Sequence, residues 1–202
     1  MQRMWFVGVA AAVCVVLAGC SGAGAGSTPA SSAAAPPATS ASAAAPAATP
    51  TAPAASGGTT ITGTGYTYSV PKGWDVPKTD VGQSQTDSLA ADLTDTDGFS
   101  DNVNVIVVKT GDVAADQIEA QAPAQLKSGG FTKVSVEDRA QIAGTESAHL
   151  SALAKGAKYR VEQFYLIHDG SGYVITFSFS PKVSKSDRGD VTDSVLSTWS
   201  FS

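Results

Sequence analysis

The chain has 202 residues, a formal charge of −5, two histidines and two cysteines. That balance excludes nucleic acid as a partner, because such binding depends on clustered Lys and Arg neutralising phosphates. It also excludes charge attraction to anionic lipid as the means of holding the protein at a membrane. Arg3 is the only charged residue before Lys72. Trp5 to Val16 is uncharged and mostly apolar, suited to the core of a secretory leader and too short for a span of about 20 residues.

That run ends in Leu17-Ala18-Gly19-Cys20, an aliphatic residue and two small ones before a cysteine. The pattern matches the lipobox of bacterial lipoproteins. It implies a signal peptide over residues 1–19, cleavage between Gly19 and Cys20, thioether lipidation of Cys20 and a palmitate-type acyl chain on the new terminus. Two or three acyl chains, at about 0.8 kcal/mol per buried CH₂, anchor a domain far more firmly than one. The expected address is the extracytoplasmic face of the cell membrane, with membrane contact through acylated Cys20. Leader removal takes Arg3 and Cys14 away, leaves a charge of −6, and makes an internal disulfide impossible.

Residues 20–63 read as the lipidated cysteine and a disordered tether. Ser21 to Thr60 uses only Ala, Pro, Ser, Thr and Gly, which cannot bury enough surface to offset ordering entropy. Pro at 29, 36, 37, 46, 50 and 53 prevents a long helix despite the alanines. A flexible coil of this length spans roughly 35 Å and a polyproline-like one about 120 Å. Sugar on Thr28, Thr39, Thr49 or Thr51 is expected, since Ser/Thr/Pro stalks are often O-glycosylated.

The folded domain is placed at residues 64–202. Tyr66 to Val70 alternates large and small residues as a strand, stopped by Pro71-Lys72-Gly73-Trp74. Asn102 to Lys109 reads as a buried strand. Asp112 is the expected N-cap of a helix over Val113 to Lys127, with Ile118, Ala122 and Leu126 on one face. Pro123 should kink or split that helix, and Gly129-Gly130 should close it. Strands are predicted over Phe131 to Ile142, Glu146 to Leu153 and Lys158 to His168. Asp169 to Gly172 reads as a hairpin turn, leading to a strand that sets Tyr173, Ile175, Phe177 and Phe179 on one face. Val191, Val195 and Trp199 make a helical stripe able to cover the sheet. A meandering antiparallel sheet with two helices is an α+β sandwich.

The order of these landmarks resembles a known family. An aromatic strand running into Pro71-x-Gly73-Trp74, then Gly98-Phe99 with Asn102-x-Asn104-Val105, a helix, a Gly-rich turn, a long hairpin and a terminal helix are similar to the LpqN-type lipoproteins of actinobacteria. The resemblance covers about residues 64–202 and implies their fold. That is the PsbP-like α-β-α sandwich, a central mainly antiparallel sheet flanked by helices, shared with a photosystem extrinsic subunit and a yeast Ran-binding factor. It also implies a non-enzymatic role, with no catalytic residue to carry over.

The residues themselves supply no catalytic constellation. His149 and His168 lie far apart, and the remaining cysteine is acylated, so a zinc site lacks ligands. The acidic run through Asp80, Asp87, Asp92, Asp95, Asp97 and Asp101 imitates part of a calcium loop. In EF-hand register, however, Leu93 and Asn104 take positions where carboxylates are needed. Ser147-Ala148-His149 puts a serine and a histidine on one strand face, but there is no Gly-x-Ser-x-Gly elbow. No cofactor is predicted. Trp74, Tyr159, Phe164, Tyr165, Tyr173, Phe177, Phe179 and Trp199 read mainly as core. A groove for a lipid or small apolar ligand, lined by Trp74, Phe164, Tyr165, Phe177 and Trp199, is the alternative. The expected function is therefore a non-catalytic accessory module docking an envelope protein, in lipid export or wall assembly. A lipid carrier comes second and a hydrolase without a recognisable motif third.

Overall fold

The computed structural model describes residues 55–78, 85–156 and 158–202. The leader, Cys20, Asp80 and the tether threonines named above lie outside the described residues. In chain order the elements are β1 (Thr60–Gly63), β2 (Tyr66–Ser69), β3 (Trp74–Asp75), β4 (Ser88–Asp92), β5 (Asn102–Lys109), α1 (Ala115–Ser128), β6 (Phe131–Ile142), β7 (Thr145–Ala154), β8 (Arg160–His168), β9 (Ser171–Phe179), α2 (Lys185–Leu196) and β10 (Ser200–Phe201).

The strongest alternation in the sequence forms the middle of the large sheet. β8 and β9 pair antiparallel from Arg160↔Phe179 to His168↔Ser171. Asp169 and Gly170 both take positive φ, 47° and 69°, which is the two-residue hairpin geometry that an Asp-Gly pair favours. Among the described residues seven antiparallel strands follow the order β3-β4-β5-β9-β8-β7-β6, and β1-β2-β10 make a second, three-stranded sheet. The chain leaves β5, crosses one face as α1, and re-enters at the far edge as β6. It then meanders back until β9 closes beside β5.

Alternation sends each strand's residues to two separate cores. Tyr173, Ile175, Phe177 and Phe179 of β9 pack with Phe164 and Leu166 of β8, Val195 and Leu196 of α2, and Tyr66 and Tyr68 of β2. On the other face Ile118, Ala122 and Leu126 of α1 sit on Ala148, Leu150, Ala152 and Ala154 of β7 with Val161 and Tyr165 of β8. The fold is thus α+β, a large antiparallel sheet between helical layers, with the small sheet sharing the layer of α2. Each fully buried Phe or Leu contributes about 1.5–3 kcal/mol by leaving water.

Several expectations shift. Structure starts before Thr64: β1 pairs with β2 from Thr60↔Ser69 to Gly63↔Tyr66, and Ile61 is buried in the core. Earlier still, the Ser56 N–H donates to the Ser194 carbonyl. Asp112 is not the helix cap. Ala114 holds that position, and its N–H donates to Gln117 Oε1 at 3.4 Å. α1 runs unsplit through Pro123, at the expense of the bond to the Glu119 carbonyl. α2 ends at Leu196, so Trp199 joins the core just beyond it. Ser184 caps α2, accepting from the Asp187 N–H at 3.1 Å.

Candidate functional site

The five residues of the expected groove do not share a space. Trp74, Phe164, Phe177 and Trp199 are buried in the core beneath α2, whereas Tyr165 lies in the core beneath α1. Adjacent residues on a strand point to opposite faces, so the sheet itself stands between Phe164 and Tyr165. Trp199 is stacked against Tyr66 at 4.5 Å and Tyr68 at 5.5 Å, with interplanar angles of 5° for both. Phe164 meets Phe177 edge-on at 6.0 Å. These rings fill one another's surroundings.

Open space occurs elsewhere. α1 covers β6, β7 and part of β8, and beside it a cleft of about 30 Å³ is lined by Asn104, Phe131, Tyr159, Gln163, Thr176 and Ser178 among others. Its floor is a neutral hydrogen-bonded row. Tyr165 donates from its hydroxyl to Gln163 Oε1 at 2.7 Å, and Gln163 Nε2 donates to Thr176 Oγ1 at 2.9 Å. Burial holds the Tyr165 hydroxyl protonated well above the ordinary range. About 30 Å³ has room for roughly two water molecules. An acyl chain is too bulky for that space, which disfavours it here.

The densest polar constellation lies under α2. Glu162 of β8 is 6% exposed and Arg188 of α2 is also 6% exposed. Arg188 Nε donates to Glu162 Oε1 at 2.8 Å and Nη1 donates to the Val183 carbonyl at 2.8 Å. His149 Nε2 lies 3.1 Å from Glu162 Oε2, with its ring stacked on Phe164 at 4.2 Å. Next to it Glu137 accepts from Ser135, Ser151 and Lys185. The Ser135 and Lys185 hydrogen bonds, with Ser151, hold its carboxyl down at about 2. Ser147 and His149 do share a face, as expected. The Ser147 hydroxyl donates to the Ala148 carbonyl at 3.2 Å, not to the imidazole, so this pair lacks the nucleophile–base hydrogen bond of a hydrolase. A buried acid held by an arginine is a fastening for α2.

The sequence reading missed that fastening although both residues signal it. Glu162 stands at an inward position of β8, between Arg160 and Phe164 in the alternation. Arg188 precedes Val191 and Val195 at helical spacing, so it occupies the stripe that faces the sheet.

The remaining candidates are dispersed. His168 stacks on Phe201 at 3.7 Å and lies 3.6 Å from Asp169. Among the described residues no group of three His, Cys, Asp or Glu side chains is disposed to hold a metal. In the loop between β4 and β5, Asp92 accepts from Thr94, Asp95 from the Asp97 N–H and Asp97 from the Phe99 N–H. Asp101 accepts from the Ser180 N–H at 2.7 Å, and burial pushes its carboxyl up to about 6. Asp87 belongs elsewhere, accepting from Thr64 and Tyr66. Each carboxylate serves its own turn.

No family model matches the chain, and no curated protein matches it by sequence. Solved structures do match. A Bacteroides thetaiotaomicron VPI-5482 protein aligns with a TM-score of 0.45 at 9% identity, over 68% of this chain and 45% of that one. The chain therefore spans less than half of that neighbour. Cyanobacterial PsbP (CyanoP) from Synechocystis sp. PCC 6803 aligns with a TM-score of 0.46 at 17% identity, over 68% and 87%. LpqN, involved in cell envelope biogenesis of Mycobacterium tuberculosis, aligns with a TM-score of 0.47 at 15% identity, over 71% and 90%.

Proposed function

We propose that this chain is a lipid-anchored envelope protein of LpqN type whose PsbP-like domain works by docking another envelope protein, without catalysis. Leu17-Ala18-Gly19-Cys20 and the uncharged stretch after it support anchoring and standoff. The Pro71-x-Gly73-Trp74 landmark and the order of strands and helices support the family reading. The observation that carries the docking role is the filling of the interior. The expected groove residues are packed into two cores, and the cleft beside α1 offers about 30 Å³. Such packing of the described residues favours recognition by the outer surface.

Two measurements test this. Labelling cells with a clickable palmitate should tag the intact chain, and Cys20→Ala should abolish the tag and release the protein from membranes. A membrane-bound Cys20→Ala protein would remove the anchor from the proposal. In-cell cross-linking of the intact lipoprotein should give a discrete protein adduct. Recovery of none, together with an acyl lipid retained in native mass spectrometry, would replace docking by lipid carriage.

A further inference from the structure

Four exposed lysines gather at one end of the large sheet. The α1–β6 connection and the β7–β8 turn lie side by side there, joined by the Lys155 N–H to Gly130 carbonyl bond at 3.0 Å and by the Phe131↔Ala154 pair. They carry Lys127, Lys133, Lys155 and Lys158, all exposed. Residues 127–136 and 147–161 contain no Asp or Glu. None of the four lysines forms an ion pair among the described residues. The carbonyl end of α1 points to the same place, and a helix C-terminus attracts cations in its neighbourhood.

The loop between β4 and β5 reaches the same end of the sheet with Asp92, Asp95 and Asp97, joined there by Lys182, whose Nζ donates to the Asp97 carbonyl at 3.5 Å. Phe99 from that loop stacks on Tyr159 at 5.6 Å, and Tyr159 meets Phe131 edge-on at 6.2 Å. An aromatic seam therefore divides a basic lip from a mainly acidic one, where three carboxylates outnumber Lys182. A uniformly anionic surface such as a bilayer would meet the acidic lip as well as the lysines and be repelled by it. A folded partner with patterned charge meets no such conflict.

We infer that this bipolar end of the sheet is the docking surface, and that it takes a protein segment whose acidic side chains face Lys127, Lys133, Lys155 and Lys158. This rests on the docking role proposed above and adds the face and the charge of the partner.

The test uses the full-length chain in its own cells. A photo-reactive amino acid is placed at Ser128 or Thr132 beside the lysines. For comparison it is placed at Gln141 or Asp112, at the other end of the strands. The basic-lip positions should give a discrete protein adduct whose cross-linked peptide is net acidic. Changing the four lysines to Glu should lower its yield by at least about tenfold. Changing them to Arg should preserve it, and thermal melting of both variants checks folding. An adduct only from Gln141 or Asp112 overturns the inference and leaves the docking role standing. Tip adducts with lipid, or Glu variants that retain full yield, also overturn it. Absence of protein adducts from all four positions counts against the docking role itself.

Discussion

The two faces of the large sheet are made by alternate residues of the same strands, yet they are filled differently. Beneath α2 the filling is aromatic: Tyr66, Tyr68, Phe164, Phe177, Phe179 and Trp199 lock ring against ring. Beneath α1 the floor is mixed, with Ala148, Ala152 and Ala154 set among Leu150, Val161 and Tyr165 under Ile118, Ala122 and Leu126, and part of the face stays open as a cleft. Large interlocking rings cannot shift without leaving voids. A helix seated partly on alanines can settle closer when a side chain is trimmed. The α2 side should therefore respond steeply to truncation and the α1 side gently.

Four substitutions measure that difference. Phe177→Ala, at a position with 0% exposure, should cost about 3–5 kcal/mol in denaturant unfolding. A loss under about 1 kcal/mol would mean the rings repack. Arg188→Met strands Glu162 in the interior and should cost about 3 kcal/mol, and adding Glu162→Leu should recover much of it. Leu126→Ala beneath α1 should cost about 2 kcal/mol, the low end of its class. A cost equal to that of Phe177→Ala would erase the contrast between the faces.

The smallest effect concerns Asp101, at the rim. Burial raises its folded carboxyl from 3.8 to about 6. The folded state then holds a proton that the unfolded state has lost, so this group's contribution to stability falls as pH rises from about 4 to about 6. Asp101→Asn keeps an acceptor for the Ser180 N–H and removes that penalty. Its melting temperature should exceed that of the wild type at neutral pH, and the difference should vanish below about pH 4. The opposite trend comes from Glu137 and Asp87, whose carboxyls are held low. For that reason the variant is compared with wild type at each pH.

The sequence was most readable where large side chains alternate. β5, β8 and β9 follow from Val103 to Val108 and from the Tyr/Phe alternation of residues 159–179, because a half-buried strand must repeat every two residues. β4 was not readable, since Ser88-Leu89-Ala90-Ala91-Asp92 packs through alanines that carry no periodic signal. β1 was lost in the tether because Ile61 is its only large apolar residue among Thr and Gly. The groove was visibly flawed at the level of residues: Phe164 and Tyr165 are neighbours on one strand and cannot line one wall. The basic lip was invisible for another reason. Lys127 and Lys133 come from one connection and Lys155 and Lys158 from another, and only the β6–β7 pairing brings them together.

β9 is the last strand of the large sheet to be made and sits at its centre, between β5 and β8. β10 closes the small sheet with the final residues, Ser200 and Phe201 pairing with Thr67 and Tyr66. A chain emerging N-terminus first can form the β6–β7–β8 meander early. It cannot join β3-β4-β5 to that meander until residues 171–179 have appeared. Such non-local closure makes folding slow relative to local hairpin formation. The large sheet is therefore keyed to the arrival of residues 171–179, and until they are in place its two halves have no common strand.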